Sequence, residues 1–130
     1  MLYHRLATFL CKRNSRNIPS VRSSRVYRFT PNKIIVEYHN TAVLIADWDG
    51  YVELHSGGWK TVTTKRRMNE YLEHWRVWQK NHEWFVSRDN VTLPFVEGMK
   101  VFDVRAVAET AINYAVGREK IYGALQGEGK

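Results

Sequence analysis

Residues 41–54 read TAVLIADWDGYVEL, and this stretch decides the fold. Thr41–Trp48 is a near-continuous apolar run of strand length. Tyr51–Leu54 is a second strand-like run, and Asp49-Gly50 separates the two. Asp-Gly between such runs predicts a β-hairpin, because a type I′ turn needs positive φ, which Gly adopts without strain.

Working outward toward the N-terminus, Val26, Phe29 and Lys33–His39 (KIIVEYH) are rich in β-branched and aromatic residues, with Pro31-Asn32 as a turn. Toward the C-terminus, His55-Ser56-Gly57-Gly58 ends the hairpin in a loop, and Trp59–Val62 reads as a short further strand. Thr63 or Thr64 then reads as an N-cap. Met68, Tyr71, Leu72 and Trp75 follow at helical spacing and predict a helix over about 64–75. Arg76–Gln79 and Glu83–Ser87 read as strands joined by Lys80-Asn81-His82. Val91–Phe95 is another strand, with Pro94 favouring a sheet edge, and Met99–Phe102 follows the Glu97-Gly98 turn. Asp103 reads as the cap of a helix over about 103–117. Its stripe is Val104, Val107, Ala108, Ala111, Ile112, Ala115 and Val116, with Gly117 at the stop. The sum is an α+β fold: a twisted antiparallel sheet of about five to seven short strands with two main helices.

A chain of 130 residues matches one domain, and its five Trp, seven Tyr and five Phe supply bulk for a core. The single Cys excludes an internal disulfide, and no run of about 18 apolar residues exists to span a membrane as a helix. Neither an internal repeat nor a Gly-rich dinucleotide fingerprint is present.

The formal charge of +7 is confined to one end. Residues 1–30 hold Arg5, Lys12, Arg13, Arg16, Arg22, Arg25 and Arg28 and no acid, while the other 13 basic residues face all 13 acids. Residues 1–24 therefore read as a basic arm and linker, and 25–130 as a single α+β domain. Within the arm, residues 1–12 fit a short helix with Leu2, Leu6, Phe9 and Leu10 on one face, and 13–24 are polar. Three readings of the arm stand side by side. It grips phosphates or a partner through Arg13, Arg16, Arg22 and Arg25; it is a solvated extension; or its acid-free, Arg-rich composition is a mitochondrial-type targeting segment.

Gly57-Gly58-Trp59-Lys60-Thr61-Val62-Thr63-Thr64, with the helix start beyond it, resembles a family of small tailed-bacteriophage proteins sharing a GGW-x-T-x-TT-basic motif. The preceding VEYHNTAVLIADWDGYVELHS and the later VWQKNHEWFVSRDNVTLPFVEGMKV are similar to the same family, so the resemblance covers about residues 25–103. It implies a phage origin and the cytoplasm of an infected bacterial host, and no particular activity.

The densest chemical constellation is Lys60, Thr63, Thr64, Lys65, Arg66 and Arg67. A helix start offers free N–H groups to an anion, two hydroxyls and four cations add to it, and Trp59 stands ready to stack on a base. Three cations in a first helical turn also oppose the helix dipole. The blander reading has a Thr capping the helix and the cations solvated, or Arg66 paired with Glu70. Elsewhere, His4, His39, His55, His74 and His82 lack the spacing of a zinc site. Asp47 and Asp49 resemble a calcium-loop fragment without its remaining ligands, and no nucleophile motif occurs. Trp75, Trp78, Trp84 and Phe85 read as core. The expectation is thus a non-enzymatic phage accessory protein without metal or cofactor. It contacts nucleic acid, or a host protein that processes nucleic acid, through the arm and the helix start. An anti-CRISPR-like inhibitor docking on a host effector, a minor virion component and a small enzyme are the other readings.

Overall fold

The alternation of apolar and polar residues is realised as strands in the computed structural model, which describes residues 1–19 and 23–105. In chain order the elements are α1 (Leu2–Leu10), β1 (Ser15–Asn17), β2 (Ser24–Thr30), β3 (Lys33–Tyr38), β4 (Thr41–Asp47), β5 (Tyr51–Leu54), α2 (Val62–Tyr71), β6 (Arg76–Lys80), β7 (Glu83–Arg88), β8 (Val91–Pro94) and β9 (Met99–Phe102). The strands form two antiparallel sheets, β1-β2-β3-β4-β5-β9 and β6-β7-β8. The fold is α+β as expected, with nine strands among the described residues in place of five to seven. Pro94 lies in β8, an edge strand, where its missing N–H breaks no ladder.

Two-residue loops at His39-Asn40 and Asn81-His82 place both residues at positive φ, the signature of type I′ turns that match strand twist. The 41–54 hairpin forms but turns differently. Gly50 N–H donates to Asp47 C=O (3.0 Å), and only Gly50 in the Trp48-Asp49-Gly50 loop has positive φ. A Cβ there would lie 2.7 Å from Val104 Cγ1, so Gly50 meets two demands at once.

Register aligns Val26, Val36, Leu44, Leu54 and Met99 as successive partners across five strands. This row joins one hydrophobic cluster with Met68 of α2, Val77, Trp84 and Val86 of the smaller sheet, and Trp75 and Phe95. Leu2, Leu6 and Leu10 of α1 belong to the same cluster and are buried. Residues 1–17 are therefore not a free arm. Leucines at i, i+4 and i+8 give α1 an apolar stripe, and burying each contributes about 1.5–3 kcal/mol. That gain outweighs the solvation preference of the flanking charges. Arg5 reaches Glu73 (3.2 Å), and Arg28 donates to Tyr3 Oη (3.1 Å), so part of the arm's charge helps hold α1 down.

Helix α2 begins earlier than expected. Thr61 is the N-cap: its Oγ1 accepts from Thr64 N–H (3.1 Å), and neither Thr63 nor Thr64 plays that role. Trp59–Val62 consequently forms a loop and a helix start where a strand was expected. The helix stops at Tyr71, and Leu72 turns extended, so Leu72 and Trp75 are buried from the connection to β6. Asn69 ties α2 to that strand, its Oδ1 accepting from Val77 N–H (2.8 Å) and its Nδ2 donating to Val77 C=O (2.9 Å).

The helix expected over 103–117 lies outside the described residues beyond 105. Asp103 itself is 1% exposed and serves the connection after α2. Its Oδ2 accepts from Glu73 N–H (2.9 Å), and its Oδ1 from the N–H groups of His74 (2.8 Å) and Trp75 (3.2 Å). Burial pushes its carboxyl above the ordinary value, and the N–H donors offset only part of that. No helix among the described residues is long and apolar enough to cross a membrane.

Leu6→Ala should lower unfolding free energy in denaturant by about 2–5 kcal/mol; a loss below about 0.5 kcal/mol, the range of ordinary surface substitutions, would show α1 to be dispensable. Asp103→Asn should cost about 1–3 kcal/mol near neutral pH, because its amide turns a donor toward an N–H. A raised folded-state pKa means the native protein binds the extra proton, so Asp103 subtracts stability as pH rises through that value. The Asn variant cannot gain the proton, so its deficit relative to the parent should widen as pH falls; denaturant melts across the acid range test this.

Candidate nucleic-acid interface at the start of helix α2

The loop between β5 and α2 is shaped by two contacts from distant sequence. Glu97 accepts from Ser56 N–H (2.7 Å) and Gly57 N–H (3.2 Å), and Gly98 N–H donates to Leu54 C=O (2.7 Å). Gly57 packs so closely on Thr41 that a Cβ would sit 2.6 Å from Thr41 Oγ1, at a φ of +65°. Only glycine meets both conditions. Burial alone would raise the Glu97 carboxyl. The Ser56 N–H, the Ser56 hydroxyl and the Gly57 N–H outweigh it, and the group titrates below its ordinary value.

This loop, the β3–β4 turn and the start of α2 enclose a groove of about 510 Å³. Tyr38, His39, Thr41, Val43, Ser56, Trp59, Thr61, Thr63 and Thr64 line it. None of these is acidic. Trp59 is 68% exposed, and the Tyr38 and His39 rings lie 4.3 Å apart between centroids. The expected strand runs through His39; β3 stops at Tyr38, and His39 sits exposed in the turn instead.

The expected cluster divides over this geometry. Trp59, Thr63 and Thr64 reach the groove. Thr64 is nearly fully buried, and its Oγ1 lies 3.1 Å from Thr61 Oγ1, which leaves Thr63 the more accessible hydroxyl. Lys60 is exposed, with Nζ 5.7 Å from the Phe95 ring centre. Lys65 and Arg66 line a shallower depression against β6, where Lys65 Nζ donates to Gln79 Oε1 (2.8 Å). Arg67 pairs with Glu70 (2.7 Å) and its guanidinium carbon lies 5.6 Å from the Tyr38 ring centre. The expected Arg66–Glu70 pair is thus replaced by an i,i+3 pair from Arg67. Because Thr61 starts the helix, Lys65, Arg66 and Arg67 fall beyond the first turn, where the dipole conflict fades.

The arm residues lie apart from the groove. Arg16 donates to Phe9 C=O (2.6 Å) and covers the Phe9 ring (4.5 Å). Arg25 pairs with Glu37 (3.0 Å) in a hollow that shares His39 with the groove. Arg13 is exposed after α1, and Arg22 lies outside the described residues. Sequence reasoning missed Tyr38, Thr41, Ser56 and Glu97 as parts of the site. Their signal was the co-occurrence of the YH-x-T, GGW and F-x-x-GM blocks, which the fold brings into contact.

The blocks that carry the resemblance to tailed-phage proteins therefore build one structural unit, and the protein falls in the class of phage proteins. The chain belongs to the Kyanoviridae Gp96 protein family, whose model matches residues 11–102. The match begins before residue 25 and takes in β1. No curated protein and no solved structure matches the chain.

Glu97→Gln should loosen the loop and remove part of the acid sensitivity. A lowered folded-state pKa means stabilisation that is present above the ordinary Glu value and lost as pH falls through the folded value. The Gln variant should therefore be less stable than the parent near neutral pH, with the gap closing in acid; a gap that stays constant with pH would show that Glu97 does not act through its charge.

Proposed function

We propose that the protein is a non-enzymatic accessory protein of phage infection that binds nucleic acid on the face carrying the start of α2. The observation that carries this reading is the acid-free groove with an exposed Trp59 beside Lys60. An aromatic face stacks on a base, hydroxyls from Thr61 and Thr63 accept or donate to phosphate and sugar, and a cation neutralises phosphate. Lys60 and Arg66 form no ion pair or hydrogen bond among the described residues, so they are available for that role. Phage origin supports it as well, since a nucleic-acid partner is present throughout infection.

The arm no longer carries the reading by itself, because α1 is packed and Arg5, Arg16, Arg25 and Arg28 are engaged within the fold. Affinity for an oligonucleotide should fall linearly with salt on logarithmic axes. Lys60→Gln should weaken binding uniformly across sequences and flatten that line by about 0.7 to 0.9, the share of one phosphate. Affinity indifferent to salt and to Lys60 would overturn the proposal. Nuclease-resistant co-purification with one host protein would instead favour a docking inhibitor.

A further inference from the structure

We infer that the Trp59 groove receives an unpaired nucleotide, so that the protein selects single-stranded over duplex nucleic acid. This rests on the nucleic-acid reading above and adds the strand state. Cation supply is the first ground. Within the described structure, Lys65 is held by Gln79, Arg67 by Glu70, Arg25 by Glu37 and Arg5 by Glu73, and of the cations near the start of α2 only Lys60 and Arg66 are left without an ion pair or hydrogen bond among the described residues. A duplex presents one charge about every 1.7 Å and is gripped by rows of free cations. The groove has no such row, and its lining contains neither Lys nor Arg.

The lining itself is the second ground. Trp59, Tyr38 and His39 bring three rings to one concavity, with Val43 as an apolar contact and Thr41, Thr61 and Thr63 as hydroxyls. Ring faces engage bases, and bases reach a concavity only when unpaired and unstacked. Stacking tolerates any base, and hydroxyls both donate and accept, so this lining favours strand state over sequence. The concavity is also fixed in advance: Glu97 holds Ser56 and Gly57, and Gly57 packs on Thr41. A loop ordered beforehand avoids much of the ordering cost of binding.

The test uses the full chain, a fluorescent short oligothymidylate, and the same strand annealed to its complement. Trp59→Ala should weaken single-strand binding roughly 5- to 100-fold, the equivalent of one lost stacking contact. The salt slope should not change, because no phosphate contact is removed. Trp59→Phe should restore most of the affinity. Trp48→Ala is the control, since Trp48 is 58% exposed but outside the groove. Trp59 is largely solvent-exposed, and an unchanged melting curve will show that the Ala variant keeps its fold. Equal affinity for single strand and duplex, or a Trp59→Ala variant binding as the parent does, overturns the inference. If duplex binding in that case still depends on Lys60 and salt, nucleic-acid binding stands and only the strand preference falls. If neither probe binds, both fall.

Discussion

The carboxylate of Asp103 is the point on which the two sheets depend. It closes β9 and gathers three consecutive N–H groups from residues 73–75, where the chain leaves α2 for the smaller sheet. Its neighbour Phe102 adds a second node: the carbonyl accepts from Trp75 Nε1 (3.0 Å) and from Arg88 (2.8 Å). These bonds join the last strand of the large sheet, the end of α2 and the middle strand of the small sheet. A buried carboxylate is costly unless its lone pairs are satisfied. Here the compensating donors are the N–H groups of residues 73–75, in the connection between α2 and β6.

The same economy explains where the charge goes. A chain with its whole net charge in residues 1–30 looks like a body with an adhesive tail. In the folded molecule Arg5, Arg16, Arg25 and Arg28 each meet an acid, a carbonyl, a hydroxyl or a ring. Formal charge therefore overstates what a polyanion would find available. The groove by α2 is lined by rings and hydroxyls, and its character is aromatic more than basic.

The strands were legible because period-two alternation and turn residues are local signals. The edge position of β8 followed from Pro94 alone, and the apolar run at 41–54 marked two adjacent strands. The α1 stripe was visible as well, but the density of arginine around it favoured an arm; packing against the sheet decides that question, and packing is not local. Thr61 was passed over as a cap because two further threonines follow it and residue type cannot separate them. Glu97, Asn69 and Asp103 were illegible for another reason. Each satisfies backbone groups from a different part of the chain, about 40 residues away in the case of Glu97. The site was therefore half visible: the GGW loop and α2 start came from sequence, while its other wall, Tyr38 to Thr41, came from topology.

The placement of β9 beside β5 makes residues 55–98 an excursion between adjacent strands, since Leu54 and Met99 are cross-strand partners. Closing that excursion costs on the order of 3 kcal/mol in chain entropy, whereas the links within β2–β5 are turns of two or three residues. The meander can assemble through near neighbours alone. Strand β9 docks only after the excursion has folded enough to bring its ends together. The strand order thus combines a locally connected meander with one long-range closure, and the closure is the costlier step in chain entropy. Because Glu97 and Gly98 immediately precede β9, the shape of the loop that presents Trp59 depends on that same long-range closure.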